Sequence, residues 1–105
     1  MTSLEDYQQS ALRTTNAALS SDERLLDAAS GLAEEAGEVL GLVRKRAFQQ
    51  RDPGRDRFVE ELGDVLWCLA VTADSLGLSL GEIAESNLNK LADRHPDGFR
   101  AGDSR

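Results

Sequence analysis

Little in this 105-residue sequence can staple or break a chain, since it holds one cysteine, two prolines and one histidine. A lone Cys68 excludes an internal disulfide, fits a reducing compartment and reads as a small buried hydrophobe. With proline confined to positions 53 and 96, Asp52-Pro53-Gly54 is the only strong turn signal inside the body, while Pro96 and Gly98 open a polar tail. Positive charge is also short: 12 Lys and Arg face 19 Asp and Glu, for a net charge of -7, which argues against a nucleic-acid surface. The start MTSLEDYQQS has no basic segment followed by an apolar one, and the longest apolar run, residues 65–71, is far shorter than a membrane span. These absences lead us to expect a soluble, cytoplasmic chain without nucleic-acid or membrane partners. One domain is expected over residues 1–96, with a polar, flexible tail over 97–105.

What is present is helical periodicity. Ser3 with Asp6, Ser20 with Glu23 and Ser79 with Glu82 each match a capping box, predicting helices that begin at these serines. The spacing predicts a first helix to about residue 18 and a second to about residue 50. A third is expected over about 56–76, stopped by Gly77, and a fourth ending near His95. On the second helix Leu25, Ala29, Leu32, Ala36, Val39, Leu40 and Val43 form the expected core stripe. No segment alternates with period two. The fold class is therefore all-α: a four-helix bundle with two long antiparallel central helices. Residues 62–73 of the third helix are apolar around the circumference apart from Asp64, so four helices would struggle to enclose them. A second copy is expected to complete the bundle, as a homodimer or homotetramer.

Two acidic groups stand out. Glu34, Glu35 and Glu38 share one side of the second helix, and Glu61 and Asp64 lie three residues apart on the third. Glu38 and Glu61 are 23 residues apart, enough for a helix end, a turn and an antiparallel return, so the groups can face each other. Like charges at such spacing destabilise a helix, and a carboxylate in apolar surroundings either protonates or finds a cation. No Lys or Arg on the third helix offers itself as that cation. Gly31, Gly37, Gly41 and Gly63 suggest close approach of backbones or ligands. An all-oxygen donor set without histidine selects a hard ion, so Mg2+ or Mn2+ fits whereas zinc and copper do not. The Glu-x-x-His pairs of di-iron bundles, the EF-hand loop, the P-loop and G-x-G-x-x-G are all missing. Six of the twelve basic residues (Arg44, Lys45, Arg46, Arg51, Arg55 and Arg57) fall between the acidic groups and read as solvated helix ends.

GLAEEAGEV followed by EELGDVLW resembles the EExxE, spacer, ExxD signature of the MazG-like nucleotide pyrophosphohydrolases, within the all-α NTP pyrophosphatase superfamily. EDYQQSALRT is similar to that family's first helix and NLNKLADRHPDGF to its closing segment, so the likeness covers about residues 4–99. The resemblance implies hydrolysis of a nucleoside triphosphate, NTP or dNTP, to a monophosphate and pyrophosphate, with clearance of non-canonical nucleotides as one use. It assigns Glu35, Glu38, Glu61 and Asp64 as metal ligands. Glu34 is the candidate catalytic residue that orients or deprotonates water, or else holds a second metal. Asn87, Lys90 and Arg94 are the candidate substrate contacts. Trp67 and Phe48 are candidates for stacking on a base. Two other readings stay open: a superfamily relative acting on dUTP or a phosphoribosyl nucleotide, and a non-catalytic helical dimerisation module.

Overall fold

The computed structural model describes residues 1–49 and 51–103, and four helices account for the regular structure among them. They are α1 (Leu4–Leu12), α2 (Ser21–Phe48), α3 (Arg55–Ser75) and α4 (Leu80–Arg94), with no strand among the described residues. All three expected serines are N-caps. Ser20 and Ser79 form complete capping boxes with Glu23 and Glu82, while Ser3 accepts from the Asp6 N–H. The hydrogen bond that Glu23 makes back to the Ser20 backbone holds its carboxyl below the usual range.

One boundary differs from expectation. α1 stops at Leu12, well before residue 18, because Thr14 and Thr15 turn their hydroxyls onto the Ala11 and Leu12 carbonyls, and Asn16 Oδ1 accepts from Ala18 N–H. Such side-chain bonds offer the backbone an alternative to continuing the helix. α2 is described as ending at Phe48; Gln50 lies outside the described residues. The Asp52-Pro53-Gly54 turn forms as expected, with Gly54 at φ 89° and its N–H bonded to Asp52 Oδ1. At the far end of α3, Gly77 at φ 74° completes a Schellman motif: its N–H reaches Asp74 O, and that of Leu78 reaches Ala73 O.

α2 and α3 run antiparallel along one long seam. Arg24 meets Asp74 at one end, Gly31 lies against Cys68 in the middle, and Glu35 and Glu38 meet Glu61 towards the turn. Along α2 a stripe of buried and half-buried side chains runs through Leu25, Ala28, Leu32, Glu35, Val39 and Leu42, at alternating steps of three and four; Phe58, Glu61, Val65, Cys68, Thr72 and Ser75 do the same on α3. The core stripe expected on α2 is thus partly misplaced. Ala29, Ala36, Leu40 and Val43 face outward, and with Leu26 and Ala33 they form a second stripe one residue out of phase. Leu26 is 71% and Leu40 57% exposed.

α3 is likewise not buried all round, since Val59, Leu62, Leu69 and Leu76 remain exposed. Its sides towards α2, α1 and the first turn of α4 are covered. There Ala70 and Ala73 form a small core with Leu80, packed by Tyr7, Leu66 and Ile83. Gln8 of α1 ties this core together: its Nε2 donates to Ala70 O and Leu78 O, and its Oε1 accepts from Leu80 N–H. These three bonds satisfy a side chain that would otherwise be costly to bury. Trp67 adds an outer tie, donating from Nε1 to Thr14 Oγ1 at 2.7 Å. The resulting shape is open, with a radius of gyration of 16.5 Å against about 13 Å for a compact chain of 100 residues. No single helix is long and apolar enough to cross a membrane.

Candidate metal centre

The seam register brings three acids to one place. One carboxylate oxygen from each of Glu35, Glu38 and Glu61 lies within 4.8 Å of the others. Glu35 and Glu61 are there because both occupy positions that face the opposite helix, where apolar side chains would normally sit. Glu38 follows Glu35 by three residues, on the exposed rim. Glu61 is the most enclosed, its side chain only 6% exposed. Its Oε1 meets Arg57 Nη2 at 3.3 Å, whereas its Oε2 is buried with no hydrogen-bond donor.

This corrects the expectation that no basic residue on α3 serves the acids. Arg57, one turn upstream, was legible as an i,i+4 partner of Glu61. It neutralises one of three carboxylates.

Glu35 is pushed up to about 7, first by its hydrogen-bonding contact with the Glu61 carboxylate, then by burial and the charges of Asp64, Glu38 and Glu61. Two carboxylates share a hydrogen bond only while one keeps its proton; with both ionised, Glu61 Oε2 has nothing to accept from. A cation resolves the same conflict without the proton. The orphaned buried oxygen and the all-oxygen donor set therefore fit a hard divalent ion.

The other candidates fall at varying distances from this point. Asp64 is exposed rather than buried, because its position lies off the seam defined by Glu61, Val65 and Cys68. Its charge still reaches inward. Burial first, and then the charge of Asp64, raises the Tyr7 hydroxyl, and burial with the charges of Glu35 and Asp64 raises the Cys68 thiol. Glu34 is exposed, on the side of α2 next to Glu35. Asn87 and Lys90 line an open cleft of about 450 Å3 with Leu78, Glu82, Ile83 and Ser86, a cleft sharing no residue with the acid cluster. α4 packs mainly on α1. Arg94 sits in the last turn of α4. Phe48 is exposed at the end of α2, and the N–H of Trp67 is engaged by Thr14. His95 caps α4, with its ring against Phe99 and Nδ1 3.0 Å from Asp103 Oδ2.

Of the four glycines expected to permit close approach, only Gly31 does so. A Cβ there would stand 3.0 Å from Cys68 Sγ, whereas Gly37, Gly41 and Gly63 face open space. Gly31 lets α2 and α3 close directly beside Glu35.

The structure thus defines an all-α protein whose central seam gathers three carboxylates. The model of the MazG nucleotide pyrophosphohydrolase domain matches residues 24–99, and the chain belongs to that family. It is a nucleotide pyrophosphohydrolase by family. It is 38% identical over 77 residues to the Gene 37 protein of Mycobacterium phage L5, covering 69% of this chain and 67% of the phage protein. It is 34% identical over 77 residues to the uncharacterized protein YvdC of Bacillus subtilis (strain 168), covering 60% and 68%. A phosphoribosyl-ATP pyrophosphatase of Pyrobaculum aerophilum is 41% identical over 56 residues, 53% of this chain and 56% of that protein. No solved structure matches the chain significantly.

Proposed function

We propose that the chain is a Mg2+-dependent nucleoside triphosphate pyrophosphohydrolase, converting an NTP or dNTP and water to a monophosphate and pyrophosphate. The observation that carries this reading is that Glu61, whose Oε2 is buried without a hydrogen-bond donor, has its carboxylate grouped with those of Glu35 and Glu38. A solvated acidic rim would not bury a carboxylate, so a non-catalytic dimerisation module does not account for it.

Glu35, Glu38 and Glu61 would hold the ion, with Asp64 as a fourth ligand from the exposed side of α3. A divalent cation held there supplies positive charge for the phosphates and Lewis acidity toward the attacking water. Glu34, just outside the ligand set, orients that water or takes its proton. Asn87, Lys90 and Arg94 contact the nucleotide from α4, and positioning with charge stabilisation supplies most of the rate. A second reading, hydrolysis of a phosphoribosyl nucleotide, is favoured by the relationship to the Pyrobaculum phosphoribosyl-ATP pyrophosphatase. A panel of canonical and modified NTPs, dNTPs and phosphoribosyl-ATP, with Mg2+ and with Mn2+, separates the two. Pyrophosphate as first product from an NTP is expected; turnover of phosphoribosyl-ATP alone, or release of single phosphate, would overturn the first reading.

We also propose that the working unit is a homodimer or homotetramer. Two exposed apolar stripes support it, Leu26 to Val43 on α2 and Val59 to Leu76 on α3, as does the open shape of the single chain. Light scattering at micromolar protein is the measurement, and a monomer mass independent of concentration would sink the idea.

A further inference from the structure

We propose that Arg57 is a phosphate-binding residue restrained by Glu61: its guanidinium neutralises that carboxylate until a divalent cation does so, and then engages the substrate's polyphosphate. The inference rests on the pyrophosphohydrolase reading above.

The Glu61 carboxylate presents its two oxygens to different surroundings. Oε1 meets Arg57 Nη2 at 3.3 Å, Oε2 is buried without a hydrogen-bond partner, and a carboxylate oxygen of Glu61 lies within 4.8 Å of one from each of Glu35 and Glu38. A cation among those three acids and the guanidinium of Arg57 therefore claim the same negative charge, and the two positive charges repel one another. Their freedom to yield differs. Glu61 is held in the seam, whereas the Arg57 side chain is 50% exposed and joined to it by one contact rather than a bidentate pair. Arg57 is the partner that moves.

Its other donors suit an anion of a definite kind. A planar guanidinium with five N–H groups matches the tetrahedral oxygens of a phosphate, and it gains most where a cation already gathers phosphates nearby. The surroundings favour the same ligand. Arg44, Lys45, Arg46, Arg51 and Arg55 are all exposed and lie in the chain between Glu38 and Glu61, towards the turn end of the hairpin. In a chain of net charge -7 this end is where a polyphosphate meets concentrated positive charge. Arg57 is the member of the group that is already tied to a candidate ligand.

The proposal predicts effects of opposite sign from one substitution. Calorimetry on the full chain would measure Mg2+ binding alone, and then inorganic tripolyphosphate binding at saturating Mg2+. Arg57→Ala removes a competitor and a repelling charge, so Mg2+ alone should bind about three- to tenfold tighter. Tripolyphosphate should bind at least about tenfold more weakly, through loss of charge-assisted hydrogen bonds. Arg57→Lys keeps the point charge without the fork, so its Mg2+ affinity should match wild type and its tripolyphosphate affinity should fall in between. If Arg57 only braces the Glu61 side chain, Arg57→Ala weakens Mg2+ binding, and that result overturns the proposal. Unchanged tripolyphosphate binding overturns it as well. Both measurements report binding rather than turnover. A wild-type chain that binds Mg2+ and tripolyphosphate but releases no pyrophosphate from any nucleotide would remove the proposed reaction and leave Arg57 to be judged on these constants.

Discussion

At the end of the α2/α3 seam away from the turn, Asp74 finds Arg24 at 3.2 Å, and Arg24 also bonds Ser75. Near the turn the same seam gathers three carboxylates around a single half-exposed arginine. The helices, the register and the antiparallel geometry are common to both ends, so neither helix formation nor apolar burial accounts for the difference. Only the charge balance differs. One end closes its acid with a cross-seam partner, as a structural contact does; the other gathers three carboxylates against the one arginine that contacts them. Residues that strain a fold in this way mark the part of it kept for chemistry.

The strongest test of that contrast is Glu61→Gln. Loss of a ligand at the centre of the cluster should lower pyrophosphate release by at least about a hundredfold. Stability should move differently. The amide that replaces the carboxylate can donate to Glu35 or Glu38 and removes one charge from the cluster, so melting in EDTA should occur no lower than in wild type. Wild type should gain on the order of 10 °C in Tm at Mg2+ a hundredfold above its Kd; Glu61→Gln should lose most of that gain. A variant that melts much lower in EDTA would mean that Glu61 stabilises the fold, and the contrast between the two ends would collapse.

An intermediate effect is expected from pH. Glu35 has its carboxyl raised from the ordinary 4.5 to about 7 in the folded chain, mainly through its contact with Glu61. Between those values the folded state binds more protons than the unfolded, so stability falls as pH rises. In EDTA the Tm should therefore decline from pH 5 to pH 8, with the loss completed as pH passes about 7. Mg2+ binding should strengthen over the same interval because its ligand must lose that proton. Saturating Mg2+ should flatten the decline, and Glu35→Gln should abolish it; a slope unaffected by either would show that other groups set it.

Much of this was legible in the sequence because the signals were local. The serine caps, the Asp52-Pro53-Gly54 turn and the Gly77 stop are decided by residues within one turn of one another, and each formed. The meeting of Glu35 and Glu38 with Glu61 was legible too, since separation along the chain and an antiparallel return suffice to predict it. What failed was the choice of face. α2 carries two apolar stripes one residue apart, so hydrophobicity alone could not tell the stripe facing α3 from the one left exposed. The exposure of Asp64 is hidden for the same reason: with apolar neighbours on every side, only the register shows that Glu61 faces the seam and Asp64 does not. Arg57 reads as a solvated helix end because it lies one turn outside the apolar segment, and only the structure shows its contact with Glu61. The early end of α1 depended on threonine hydroxyls choosing carbonyls over solvent.

The smallest expected effect comes from the balanced end, with Asp74→Asn. Arg24 and Asp74 are both partly exposed, with side-chain accessibilities of 30% and 37%. Water therefore screens the pair, and its loss should cost about 0.5 kcal/mol, within the range of surface ion pairs. The amide oxygen introduced by this substitution can still accept from Arg24, and the Arg24 bond to Ser75 is untouched. The guanidinium is left half-solvated rather than buried without a partner, so it adds no large desolvation penalty. Tm should fall by a few degrees at most, with Mg2+ affinity and pyrophosphate release unchanged, since Asp74 lies several turns from Glu61 along α3. A loss of activity comparable to that of Glu61→Gln would mean that the two ends are coupled through the length of the seam, and charge balance at the turn end alone would then no longer explain where the chemistry resides.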